Sequence, residues 1–221
     1  MKDALLIALL SISFALTSSA GFIIRKVATS GGIVIDEDFA ETGTPSSGTW
    51  TSSGTVDWDS TAHSTMNGQA LQLGSADTVW VDVSSPVEVK CIYETSSAPS
   101  ITSSLLSYIS TTGAGAPGTV LQAMQSTTGA KVQFLTGGSA SSASSTFTIT
   151  ANTKYYITMR FAASSTCYFG IATTDIEPGN GTDTATAFGV EKTGGATEAL
   201  SIRMSSVTGV NMYYDDLTIT D

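Results

Sequence analysis

Apolar residues recur at every second position along most of this chain. In Tyr155–Phe161, Tyr155, Ile157, Met159 and Phe161 fall on one side, and Tyr156, Thr158 and Arg160 on the other. A two-residue period puts successive side chains on opposite faces of an extended strand, so one apolar face means a sheet covered on one side. Comparable runs occur at Ile33–Phe39, Gln69–Leu73, Thr78–Val83, Val87–Tyr93, Leu105–Ile109, Val120–Met124, Lys131–Leu135, Thr146–Thr150, Cys167–Ile171, Leu200–Met204 and Met212–Ile219. Gly, Ser, Thr, Asn and Pro bound them, and no stretch after residue 32 sustains a helical period. This pattern predicts an all-β fold, an antiparallel β-sandwich of the jelly-roll kind. The folded domain is expected over 33–221. Ser139–Ser145 reads as a long hairpin loop rather than a linker between domains.

Composition then narrows the function. Only 13% of residues are charged, against ~25% in ordinary soluble domains, while 32 serines and 34 threonines supply a hydroxyl-rich surface. The net charge of −10 argues against a nucleic-acid partner, which requires a basic patch. A single histidine, His63, removes most histidine-based metal and triad chemistry. No G-x-S-x-G, S-x-x-K, H-E-x-x-H or Walker loop is present. Gly113–Gly118 matches G-x-G-x-x-G, but no helix opens after it, so it reads as a glycine-rich loop. The E-x-D-x-E strand of laminarinase-like sandwich glycosidases is absent as well; Asp36, Glu37, Asp38 and Glu41 come nearest, with the wrong alternation.

Residues 1–20 have the layout of a secretory signal peptide. Lys2 precedes an apolar Ala4–Leu16, and small residues at Ser18 and Ala20 suit cleavage before Gly21. The competing reading is a retained anchor helix, because Ala4–Ile24 is long enough to span a bilayer. Residues 21–32 form a short lead. Cys91 and Cys167 each share a strand face with apolar neighbours. In an oxidising compartment they could form a disulfide; otherwise they are two buried thiols.

Four stretches, in order, carry a resemblance. These are Ile35–Phe39 with Thr42–Pro45 and Gly48–Trp50, then Asn67–Leu73, Lys154–Phe161 and Met212–Ile219. Together they resemble concanavalin A-like/laminin-G-like jelly rolls and some non-catalytic carbohydrate-binding modules. The resemblance implies neighbouring first and last strands, sometimes with a structural calcium at their edge. Counting parity back from Leu217 and Ile219 turns Asp215 inward, and Glu37 shares the inward side with Ile35 and Phe39. Such carboxylates either share calcium or accept backbone N–H bonds. The resemblance also implies sugar stacking on an exposed aromatic. Asp57-Trp58-Asp59, with His63 nearby, is the best local candidate, set against Trp58 plugging the core edge between two solvated aspartates.

These observations lead to a secreted or cell-surface, non-catalytic binding module for a glycan or other surface polymer. The alternative is a structural or assembly protein that associates with itself, such as a surface, filament or virion-decoration subunit. An enzyme with an unfamiliar carboxylate pair is the third reading. Stable membrane insertion is not expected once the signal is removed.

Overall fold

The computed structural model describes residues 33–40, 42–48, 50–83, 87–98, 103–109, 119–125, 131–136, 143–161, 166–193, 201–206 and 208–220. The signal segment 1–20, the lead 21–32 and the Gly113–Gly118 loop lie outside the described residues. Among the described residues the structure is strands, turns and loops, and no helix is long and apolar enough to cross a membrane.

The strands are β1 (Ile33–Glu37), β2 (Trp50–Ser53), β3 (Val56–Ser60), β4 (Ala70–Leu73), β5 (Thr78–Asp82), β6 (Val87–Thr95), β7 (Ser103–Ile109), β8 (Thr119–Gln125), β9 (Lys131–Thr136), β10 (Ala143–Thr148), β11 (Tyr155–Phe161), β12 (Thr166–Ala172), β13 (Ala187–Thr193), β14 (Ser201–Ser205) and β15 (Met212–Thr220). One sheet has eight strands in the order β13-β12-β11-β6-β15-β4-β3, with β1 also paired to β15. The other has seven, in the order β10-β9-β8-β7-β14-β5-β2. Every pairing is antiparallel. Each alternating run named above overlaps a strand, with Thr146–Thr150 displaced toward the end of β10. The patterning missed β2, β3 and β13, which are rich in Ser, Thr, Gly or charge and short of aliphatics.

One apolar core joins the two sheets. Val79, Val81, Ile202 and Met204 come from the seven-stranded sheet, and Leu71, Val89, Ile157, Phe169 and Leu217 from the eight-stranded one. Side chains from two inner faces interdigitating in this way define a sandwich. At one edge, Trp50 of β2 and Trp58 of β3 meet edge-to-face at 5.7 Å, and Phe39 meets Trp50 at 5.9 Å. This aromatic file closes the gap between the two sheets.

β15 is flanked along its length by β6. On its other side β4 covers Met212–Tyr214 and β1 covers Leu217–Thr220. The junction between those two flanks falls at Asp215 and Asp216. There the register with β6 shifts by a bulge, and Asp216 takes a left-handed φ of 51°. Aspartate tolerates that conformation better than most residues.

The bulge corrects the parity argument for Asp215. Asp215 stands opposite Ile92, on the far side of an irregularity from Leu217, so the alternation cannot be counted through it. The cysteine pairing is corrected too. Cys91 and Cys167 are both free and buried. They lie in one sheet on opposite sides of β11: Cys91 faces Ile157, whereas Tyr168, next to Cys167, faces Arg160. Two inter-strand steps and about four residues along the strand separate their Cα atoms by more than ~15 Å. A disulfide needs Cα atoms within about 7 Å. Burial pushes the Cys91 thiol up to about 12, helped by the charge of Asp215, so it stays a packed hydrophobe near neutral pH.

Candidate functional site

Two loops lie against the outer face of the eight-stranded sheet and leave a cleft beside them. The first is the segment 61–69. Ala70, Tyr213 and Ile92 form an apolar patch on this face, and Met66 packs onto it. Glu94 at the end of β6 is fully buried and fastens the loop. Its Oε1 accepts the Ser64 N–H at 2.8 Å and the Ser64 hydroxyl at 2.9 Å; its Oε2 accepts the Thr65 N–H at 2.9 Å and the Thr65 hydroxyl.

The second loop is 173–182, between β12 and β13. It folds back over its own hairpin because β12 and β13 carry facing glycines there. Thr158, Gly170 and Gly189 are consecutive partners across β11, β12 and β13. A Cβ at Gly189 would stand 2.5 Å from the Gly179 carbonyl oxygen and 2.7 Å from that of Pro178. A Cβ at Gly170 would meet the Tyr168 hydroxyl at 2.2 Å. That hydroxyl donates to the Pro178 carbonyl at 2.5 Å. Gly189 N–H donates to Thr182 O, and Gly181 N–H donates to Gly189 O, both at 2.9 Å. Arg160 completes the tether. It pairs with Glu177 at 2.6 Å and Glu88 at 3.1 Å, and its guanidinium lies 4.4 Å from the centre of the Tyr168 ring. Lys90 joins the network through Glu88 at 2.9 Å.

Between this loop and the bulge of β15 lies a cavity of about 280 Å³. Its floor is Lys90 and Ile92 of β6, Tyr156 and Thr158 of β11 and Thr218 of β15; its walls are Asp175, Ile176 and Glu177 on one side and Asp216 on the other. Tyr156 is half-buried, and Ile176 at the lip is 57% exposed. The arrangement mixes a phenol ring and two isoleucines with two hydroxyls, an ammonium and carboxylates. Such a site suits a small ligand with an apolar face and a polar rim.

The residues singled out from sequence sit elsewhere. Trp58 is 8% exposed, belongs to the core, and is packed edge-on with Trp50. Its neighbours Asp57 and Asp59 are exposed and half-buried. His63 belongs to the 61–69 loop. It packs edge-on against Tyr213 at 6.0 Å and donates from Nε2 to the Gly68 carbonyl at 3.0 Å, which leaves its buried Nδ1 without a partner. Trp58 and His63 therefore belong to different environments, one inside the sandwich and one outside it.

Glu37 is 5% exposed and accepts the Phe39 N–H at 3.0 Å and the Ser47 hydroxyl at 2.7 Å. Asp215 is 4% exposed and accepts the Asp216 N–H at 2.7 Å. Both carboxylates thus take protein donors, and among the described residues no group of three or more His, Cys, Asp or Glu side chains is placed to hold a metal ion.

The cavity was not foreseen from sequence. The outward face of β11 was legible, with Tyr156 and Thr158 on it, and so was that of β6, with Lys90. The return of loop 173–182 was not, because it depends on two glycines meeting across separate strands.

Comparison with known proteins shows the fold. No family model and no curated relative matches the chain. Among solved structures, the cellulose-induced protein Cip1 superposes with a TM-score of 0.55 at 12% identity, covering 84% of this chain and 96% of that one. The botulinum neurotoxin serotype C1 binding domain gives 0.54 at 13% identity, covering 85% of this chain but only 48% of that one. The exoplasmic/lumenal domain of VIP36, in its Ca2+/Man3GlcNAc-bound form, gives 0.50 at 8% identity, covering 77% of this chain and 82% of that one. The chain thus has the antiparallel β-sandwich of the jelly-roll kind expected from its residues.

Proposed function

We propose that the chain is a secreted or cell-surface, non-catalytic module that binds a neutral sugar unit of a glycan in the cavity beside loop 173–182. The observation that carries this reading is the cavity's combination of size and lining. Its volume lies at the low end for small-molecule sites, where one sugar ring fits. Tyr156, Ile92 and Ile176 offer apolar contact to a ring face; Lys90, Thr158, Thr218 and the aspartates offer donors and acceptors to its hydroxyls. The Man3GlcNAc-bound VIP36 domain, which shares the fold, supports the same ligand class. Loop and bulge are held by bonds within the chain, so the cleft exists before a ligand arrives, which lowers the entropic cost of binding.

Turnover is not part of this reading. Glycoside hydrolysis needs one protonated carboxyl acting with a second carboxylate. Glu177 is held in an ion pair with Arg160 at 2.6 Å, and His63 lies on the other loop. One pyranose in an open cleft gives weak affinity, with Kd on the order of 0.1–1 mM.

Calorimetric titration against a panel of neutral oligosaccharides tests the proposal. At least one is expected to bind, with Tyr156→Ala weakening it about tenfold or more and leaving thermal stability nearly unchanged. Release of reducing ends should stay at background. Binding that is indifferent to both Tyr156→Ala and Asp175→Asn would move the site elsewhere on the molecule.

A further inference from the structure

The face of the seven-stranded sheet that turns away from the core carries a cation with no neutralising partner among the described residues. Ile202 and Met204 of β14 point into the sandwich, so Arg203 between them points out. β14 lies inside its sheet, between β7 and β5, and Arg203 stands opposite Trp80 of β5 on one side and Ser107 of β7 on the other. Trp80 is 8% exposed but lies outside the core cluster, since its neighbours Val79 and Val81 take the inward positions. Thr51 of β2 continues the same row beyond Trp80.

Arg203 is half-buried. Its Nε is sealed from water and has no hydrogen-bond partner, and among the described residues no ion pair reaches the side chain. Arg160, the other arginine described in detail above, holds two carboxylates. The chain has 19 acidic residues against 9 basic ones, so carboxylates are plentiful. Asp82, diagonal to Arg203 in the register, makes interactions of its own. Desolvation lowers the guanidinium's pKa, which marks the charge as costly where it stands. The side chain as a whole is only half-buried, so part of it reaches solvent.

We propose that Arg203 anchors a second ligand site, distinct from the cavity on the other sheet, and that it takes the oxyanion of an acidic saccharide: a uronate carboxylate or a sulfate ester. A planar guanidinium presents paired donors matched to either oxyanion, and the bond strengthens where water is thin. Trp80 thins it here by walling one side of the cation. The half-buried, hydroxyl-bearing Thr51, Thr78 and Ser205 lie on the same face by register and suit the rest of a sugar. The overall charge of −10 opposes a long polyanion from a distance. At physiological salt that repulsion is cut beyond about 8 Å, so a short acidic oligosaccharide answers to the local cation instead.

The test titrates the full chain with trigalacturonate, a sulfated disaccharide and neutral maltotriose, by calorimetry and by thermal unfolding. At least one acidic ligand is expected to bind and to raise Tm. Which of the two does so identifies the oxyanion. Arg203→Gln should weaken that binding at least tenfold, and Arg203→Lys should retain part of it, having the charge but not the fork. The unliganded Arg203→Gln protein should melt at the same temperature as the parent or higher, because an unpaired desolvated charge has been removed. Tyr156→Ala should leave the acidic ligand's affinity unchanged, which separates this site from the neutral-sugar cavity. The proposal is overturned if neither acidic ligand binds, if Arg203→Gln binds as well as the parent, or if its Tm falls. It is also overturned if Tyr156→Ala abolishes the acidic binding, or if sedimentation shows a dimer that Arg203→Gln dissolves; a carboxylate of a second copy would then occupy the arginine.

Discussion

Glu94 shows how one carboxylate can organise a loop. It has no solvent exposure, and a buried charge is costly unless it is well bonded. Burial alone would raise its pKa. The hydroxyls and amides of Thr65 and Ser64 outweigh that effect and hold the carboxyl below its ordinary value of 4.5. A depressed pKa contributes stability that is present above the unfolded value and is lost as pH falls through the folded one. Loop 61–69 should therefore loosen below about pH 4.5. Hydrogen bonds to a charged group contribute about 1.5–3 kcal/mol each, and Glu94→Gln keeps one acceptor while setting an NH2 against two donors. The variant is expected to lose about 2 kcal/mol or more at pH 7. Amide exchange at Ser64 and Thr65 should speed up, and the acid dependence of stability should become shallower. Unchanged exchange at those two amides would show that the loop is held by Met66 and His63 packing instead. None of this was legible in the sequence, where Glu94 follows Tyr93 at the end of a strand and its partners Ser64 and Thr65 lie about 30 residues away.

At the scale of elements, strand patterning was readable where aliphatic residues alternate, as in β11, and unreadable where they do not. β13 reads Ala-Phe-Gly-Val-Glu-Lys-Thr, in which a glycine and two charged residues leave no run of alternating aliphatics. In the structure Gly189 is the reason the strand can accept a neighbouring loop, since only hydrogen fits beneath the Pro178 and Gly179 carbonyls. The candidate site was hidden for the same reason: its walls are made by chain segments far apart in sequence. The bulge at Asp216 was hidden because parity assumes an unbroken ladder. The Gly189 contact yields a prediction. Gly189→Ala forces backbone against backbone, and overpacking of that kind costs about 1–3 kcal/mol. The strain should fall on loop 173–182 rather than on the core, because Phe188 and Val190 still point inward. Neutral-sugar affinity should therefore drop by more than the loss of stability explains, as the wall carrying Asp175 and Ile176 shifts. Chemical denaturation alongside ligand titration measures both. Loss of stability with intact affinity would mean that the loop does not shape the site.

The whole molecule is an acidic sandwich with few cations, and those described near the cavity are already committed: Lys90 and Arg160 serve Glu88 and Glu177. Surface ion pairs of this kind contribute little and weaken in salt. The excess of ten negative charges acts the other way, repelling itself across the molecule and favouring the expanded chain. At 10 mM salt the screening length is about 30 Å and every carboxylate feels every other; at 0.15 M it is about 8 Å. The long-range term exceeds the local one here because acidic residues outnumber basic ones, 19 to 9. Sodium chloride should therefore stabilise the protein at pH 7. A gain of about 1 kcal/mol corresponds to roughly 2–4 °C in Tm for a chain of this size. The effect should shrink near pH 4, where aspartates and glutamates approach half-protonation. Chloride is the right salt for the measurement, because sulfate raises stability by exclusion from the surface and would also compete for Arg203. A Tm that falls as sodium chloride is added at pH 7 would mean that the Glu88–Arg160–Glu177 network, rather than net charge, governs the stability of the fold.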